Sequence, residues 1–240
     1  MTGELMTAAD LNAIQGAPGD LDVDLFGNVP TIDTGVRSTG DFYETPKFMT
    51  RSLVHYHRAI VRSIPLNDGT KGQRAPVILE CCSGNDAIAV VLREEYGLTV
   101  HTNDIDPRHP AETHEDATQA AYWQRWRGGM GERPELPAID WVVTNPTFVN
   151  ALPILQHAIS VAQVGVAFLL RKTFLEPTED RGPWLAQFPP TREIGQPRYS
   201  FRGSGNDSVS CDWMIWERYP DRRLGRVIDH TAEDRVRRPA

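Results

Sequence analysis

Four apolar runs constrain this chain more than any other feature. "PVILECC" (76–82), "LTVHTND" (98–104), "AIDWVVTN" (138–145) and "VGVAFLLRK" (164–172) are each short and bounded by turn residues. They do not alternate apolar with polar residues. Strands of that kind are covered on both faces. Between them lie stretches with helical spacing. Ile88, Val91, Leu92 and Tyr96 share one face of a helix that Gly97 can stop. A further helix is expected over 116–126, and one beginning at Asn150 carries Ile154, Leu155, Ala158 and Ile159. Strand alternating with helix implies a doubly wound α/β fold with a mostly parallel sheet. "SVSCDWMIWER" (208–218) has strand composition, so antiparallel strands are expected at the C-terminal end of the sheet.

Upstream, Thr45 suits an N-cap and Pro46 the first helical position. Leu53, Tyr56, Ile60, Val61 and Ile64 continue that helical spacing. Residues 1–40 are rich in Gly, Asp, Thr and Pro and read as an extension, with "LDVDLF" as a short strand or a surface segment. Residues 220–240 are polar and Arg-rich. Interspersed acids favour a solvated tail over a nucleic-acid arm.

The 240 residues, 40% of them hydrophobic, can bury a sizeable core. No run approaches the ~18 apolar residues of a membrane span, and the first residues lack a secretory signal pattern. Cys81, Cys82 and Cys211 have no metal-site spacing, which fits buried thiols in a reducing cytoplasm. His101, His109 and His114 lie among acids, but surface histidines are the expected reading, so no metal is predicted. The net charge of −7 argues against a protein that coats nucleic acid without specificity.

Ligands in this architecture sit at the carboxyl ends of the strands. The first strand ends in Glu80-Cys81-Cys82-Ser83-Gly84-Asn85-Asp86, the second in Asn103-Asp104, and a later one in Asn145-Pro146-Thr147-Phe148. Gly84 permits a tight turn close to a ligand. Asp104, about twenty residues on, is placed to accept ribose hydroxyls, which together suggests a nucleoside-containing cofactor. Asp86 falls where a dinucleotide would put its pyrophosphate and would repel it. A cofactor with cationic centres is favoured there, and S-adenosylmethionine carries a sulfonium and an ammonium.

With these motifs in order, the chain resembles the class I S-adenosylmethionine-dependent methyltransferases. It looks most like the amino-methyltransferases of adenine in DNA. The resemblance rests on "DFYETP" (41–46), "LECCSGND" (79–86), "NDID" (103–106) and "NPTF" (145–148), in the gamma order. It covers roughly residues 41–175 and implies a methyltransferase domain over 41–219. It implies that Tyr43 and Thr45 line the methionine end of the cofactor, with Glu80 and Gly84 beneath it. Asp104 would hold the ribose and Asp116 the adenine. Asn145, Pro146 and Phe148 would form the catalytic site. Two residues depart from the family pattern: Thr147 stands for the usual second proline, and Asp86 for a common glycine.

The chemistry suits those residue types. An exocyclic amine is a poor nucleophile because its lone pair is delocalised. The Asn145 amide oxygen and the Pro146 carbonyl can accept its two N–H bonds, and Phe148 can stack on a flat base. The bland alternative is a strand-terminating turn with a core phenylalanine. Thr147, Arg198 and Arg202 are the candidate substrate contacts. Arg198 and Arg202 flank aromatics in "RYSFRGSGNDS", which reads equally as a substrate loop or an ordinary hairpin. The expected partner is nucleic acid, with DNA first. RNA, a protein glutamine, or a catalytically silent cofactor-binding module are the competing readings.

Overall fold

The computed structural model describes residues 44–66, 71–126, 136–197, 199–200, 208–219 and 227–228. Strands β3 (Val77–Glu80), β4 (Thr99–Thr102), β5 (Trp141–Thr144) and β6 (Gly165–Arg171) fall within the four apolar runs. β3 pairs in parallel with β4 on one side and β5 on the other, and β5 pairs in parallel with β6. Beyond β6 the sheet reverses. β10 (Cys211–Glu217) runs antiparallel to both β6 and β7 (Arg192–Gly195). β11 (Val227–Ile228), in the stretch read as a polar tail, pairs in parallel with the outer edge of β7. The seven strands therefore lie in the order β11-β7-β10-β6-β5-β3-β4. This is the doubly wound, mostly parallel sheet with antiparallel strands at its C-terminal end. Two small hairpins accompany it: β1 (Ile64–Pro65) with β2 (Gln73–Arg74), and β8 (Tyr199–Ser200) with β9 (Ser208–Val209).

Each central strand feeds two cores at once, which is why its sequence does not alternate. Val166, Phe168 and Leu170 of β6 face one layer, with Trp123 of α3 (Ala120–Gln124) and Leu155 and Ala158 of α4 (Ala151–Val161). Ala167 and Leu169 face the other, with Leu53 of α1 (Lys47–Tyr56) and Ile88 and Leu92 of α2 (Ala87–Glu94). A fifth helix, α5 (Arg181–Gln187), brings Trp184 to the first layer. The buried Trp213 indole donates to the Met49 carbonyl at 2.8 Å and fastens α1 to β10. Buried Asp140, just before β5, accepts the Arg74 guanidinium (2.9 Å from Nη2) and the Val77 N–H (2.8 Å).

Three helical expectations change. The first helix stops at Tyr56. Ile60 and Val61 lie in a separate 3₁₀ turn over Arg58–Val61, and Ile64 lies in β1. Pro65 drives the residue before it into extended backbone, so the helical spacing could not persist. Thr45 does not cap the helix, and Pro46 takes the N-cap position. The helix expected over 116–126 shrinks to α3, because Asp116 and Thr118 form a side-chain-closed turn instead.

Among the described residues no helix is long and apolar enough to cross a membrane. At Gly165 a Cβ would lie 2.6 Å from the Trp216 carbonyl oxygen and 2.7 Å from the Trp141 ring. Gly165→Ala is expected to cost about 1–3 kcal/mol through overpacking, read as a lowered urea midpoint with an unchanged denaturant slope.

Candidate functional site at the strand ends

Because β3, β4, β5 and β6 are parallel, Glu80, Thr102, Thr144 and Arg171 end them on one rim. The chain leaves β3 first for β4 and later for β5 on the opposite side. The crevice between such diverging connections is where ligands bind in this architecture.

The turn after β3 is built by hydrogen bonds. Gly84 has φ 52°, in the left-handed region that glycine enters at little cost. Its N–H donates to Asp104 Oδ2 at 2.8 Å, while Asp104 Oδ1 accepts the Asp106 N–H at 2.9 Å. Asp104 thus holds two loops together. It is only half-buried, and each oxygen keeps acceptor capacity for a hydroxyl. Buried Asn103 does more than the sequence indicated. Its amide nitrogen donates to the carbonyls of Cys81 and Glu115, each at 3.0 Å. Its oxygen accepts the Thr113 hydroxyl (2.8 Å) and the Glu115 N–H (3.0 Å). All four of its bonding positions are filled, and they pin residues 113–115 beside the turn. Asp116 follows, closing its own turn by accepting the Thr118 N–H and hydroxyl at 2.9 and 2.7 Å.

Charge near this turn is negative and strained. Glu80 is buried and accepts the Ala89 N–H of α2 at 2.8 Å. Burial, with Asp86 nearby, raises its pKa well above the usual carboxylate range. Asp86 adopts φ 61°, ψ 23°, the backbone a glycine would hold, and makes no cap bond to α2. It pairs with Arg93 at 3.3 Å. The neighbouring Cys81 thiol, then burial, push the Cys82 thiol well up, so it stays neutral and is no nucleophile.

The target side centres on Asn145. Its amide nitrogen donates to the Thr45 hydroxyl at 3.1 Å, across 100 residues of chain. That contact ties Asn145, just after β5, to Thr45, just ahead of α1. Pro146 is buried, and among the described residues no backbone N–H donates to its carbonyl. Thr147 is exposed and Phe148 half-buried. Arg171 lies over the Phe148 ring, 4.2 Å from its centre. The sequence reading missed Arg171 and the positioning roles of Asn103 and Arg93. Tyr43, Arg198 and Arg202 lie outside the described residues. Among the described residues no three His, Cys, Asp or Glu side chains gather as a metal site. The rim therefore brings together Thr45 with Asn145, Gly84 with Asp104, and Phe148 with Arg171. A left-handed glycine turn, a half-buried carboxylate and two crowded acids suit a nucleoside-containing, cationic cofactor. They do not suit a pyrophosphate.

No family model and no curated protein matches the chain. Solved structures do. The methyltransferase subunit of a type I restriction-modification system from Streptococcus thermophilus is 13% identical, with a TM-score of 0.49, over 75% of this chain and 46% of that one. A candidate class I S-adenosylmethionine-dependent methyltransferase from Listeria monocytogenes is 11% identical, with a TM-score of 0.48, over 78% and 66%. Magnesium protoporphyrin IX methyltransferase from Synechocystis, with S-adenosylmethionine bound, is 14% identical, with a TM-score of 0.42, over 72% and 79%. The chain thus spans under half the length of the restriction-modification subunit it resembles.

Two outcomes test this geometry. Asp104→Ala removes a charged acceptor from two backbone N–H groups. It should lower stability by about 1–3 kcal/mol, read as a lowered urea midpoint. Glu80→Gln tests the buried acid. A raised folded pKa means that Glu80 stabilises the fold most below its unfolded pKa and loses that contribution as pH rises through the folded value. The variant cannot ionise, so its urea midpoint should gain on the wild type as pH goes from about 5 to about 8.

Proposed function

We propose that this chain is an S-adenosylmethionine-dependent methyltransferase acting on the exocyclic amino group of adenine in DNA. The observation that carries the reading is the Thr45–Asn145 bond. It holds the Asn145 amide in place beside Pro146 and Phe148, where the amide oxygen can serve as an acceptor. A site that must hold an NH₂ needs acceptors.

When bound, the cofactor supplies an electrophilic methyl carbon on sulfur. The chain's own residues prepare the amine. Asn145 Oδ1 accepts one N–H of the target and the Pro146 carbonyl the other. Together they draw the nitrogen from its planar, delocalised form toward one whose lone pair can be aimed. Fixing the amine in line with the donor carbon supplies much of the rate. Phe148 contributes a stacking face worth ~1–3 kcal/mol to a flat base. Once methylated, the nitrogen is acidic and gives its proton to solvent, so no strong base is needed. A duplex target has to flip its adenine into this cradle. Thr147, exposed on the loop, and Arg198 and Arg202 in sequence remain the proposed substrate contacts.

Labelled cofactor offered to DNA, RNA and protein, followed by nucleoside and peptide mass spectrometry, tests the reading. N6-methyladenine in DNA is the expected product, and label confined to protein would refute it. Asn145→Ala should reduce transfer at least a hundredfold, in line with loss of an aimed dipole, while S-adenosylmethionine affinity changes less than threefold. Equal loss of both would remove Asn145 from the target site.

A further inference from the structure

Arg171 ends β6, the strand beside β5, and its guanidinium carbon lies 4.2 Å from the centre of the Phe148 ring. Two other described arginines sit over rings: Arg181 at 5.0 Å from the centre of Phe174, and Arg125 at 5.7 Å from that of Tyr122. Both have polar partners. Arg181 donates to the carbonyls of Thr173 and Glu176, and Arg125 pairs with Glu115. Arg171 differs. All three have a buried Nε without a partner, but for Arg171 alone of the three nothing among the described residues accepts a hydrogen bond from any part of the guanidinium. A guanidinium has five N–H donors in a planar fork that matches a phosphate. Among the described residues all five are uncommitted, beside the loop that carries Asn145.

Phe148 packs against the apolar layer that includes Val143 and Leu169. The face under Arg171 is therefore the one that can be vacated. A base and a guanidinium are both flat and cannot share that face. A displaced cation then needs an acceptor. A nucleotide brings an anionic one with it, whereas a protein amide brings only neutral carbonyls.

We propose that Arg171 is a substrate-positioning residue. It covers the stacking face of Phe148 in the absence of substrate, and it moves to the phosphodiester of the target nucleotide when the base enters. This rests on the amino-methyltransferase reading above and deepens it, since it names a polynucleotide backbone as what the site requires.

The test is a salt titration of binding by fluorescence anisotropy, using the full chain and two probes. One is a short oligodeoxyadenylate, which needs no base flipping. The other is the same oligomer with uncharged methylphosphonate linkages. Arg171→Ala should bind the charged probe about tenfold more weakly at low salt. Its logarithmic salt slope should be shallower by about 0.7, the contribution of one phosphate contact on a single strand. Binding of the neutral probe should be unchanged or tighter, because the ring is uncovered. Arg171→Lys keeps the charge and should restore most of the slope. Unchanged S-adenosylmethionine affinity in both variants shows that the fold is intact. A wild-type salt slope in Arg171→Ala, with the wild type itself binding the charged probe, overturns this role and leaves the methyltransferase reading standing. If the wild type shows no salt-dependent binding, or methylates only a protein amide, both fall.

Discussion

Parallel pairing through β3 governs where chemistry can happen in this molecule. A parallel ladder forces every connection to return across a face of the sheet, so all carboxyl ends gather on one rim. β3 is paired on both sides, to β4 and to β5. The chain therefore leaves its carboxyl end in one direction and comes back on the other side, and the two loops part above it. Glu80, Gly84, Asp104 and Asn145, far apart in sequence, come to one crevice for that reason alone. Without this pairing the Asn145 amide could not reach Thr45, and the Asp104 carboxylate could not reach the Gly84 N–H.

The crevice is expensive to build. Asp86 sits in left-handed backbone without the licence of glycine, a cost of about 1 kcal/mol. Glu80 is buried beside it with one backbone donor. Arg93 offsets part of this by pairing with Asp86 and Glu112 and donating to the Val100 carbonyl. Structures hold strain of this kind where a ligand repays it.

The central strands were legible because burial on both faces leaves a mark that survives without any contact information. Gly84 and Asp104 were legible for a similar reason: a turn and an acid at fixed distances after strands have local signatures. Other parts carry no local mark. β7 lies between the Pro-rich stretches "QFPPT" and "QPRY", and its four residues gain strand character from pairing with β10 and β11. The end of α1 at Tyr56 has no local signal, since His57 leaves helical backbone and Arg58–Val61 form a separate 3₁₀ turn. Asn103 reads as an ordinary polar residue until its four partners are assembled. The position of Arg171 over Phe148 joins residues 23 apart, and nothing in either stretch announces it. Of the candidate site, the acceptors could be read from sequence, and the groups that aim them could not.

The reversed strand β10 lies between β6 and β7, yet it is made after both. During synthesis the outer edge of β6 must wait, apolar and with open backbone groups, until some forty further residues emerge. β7 meanwhile has no neighbour to join. An edge of that kind is a template for wrong partners. Completion of this sheet is thus an insertion rather than an extension, and the tryptophan-rich segment "CDWMIWE" closes a gap that nascent chains would otherwise fill with one another.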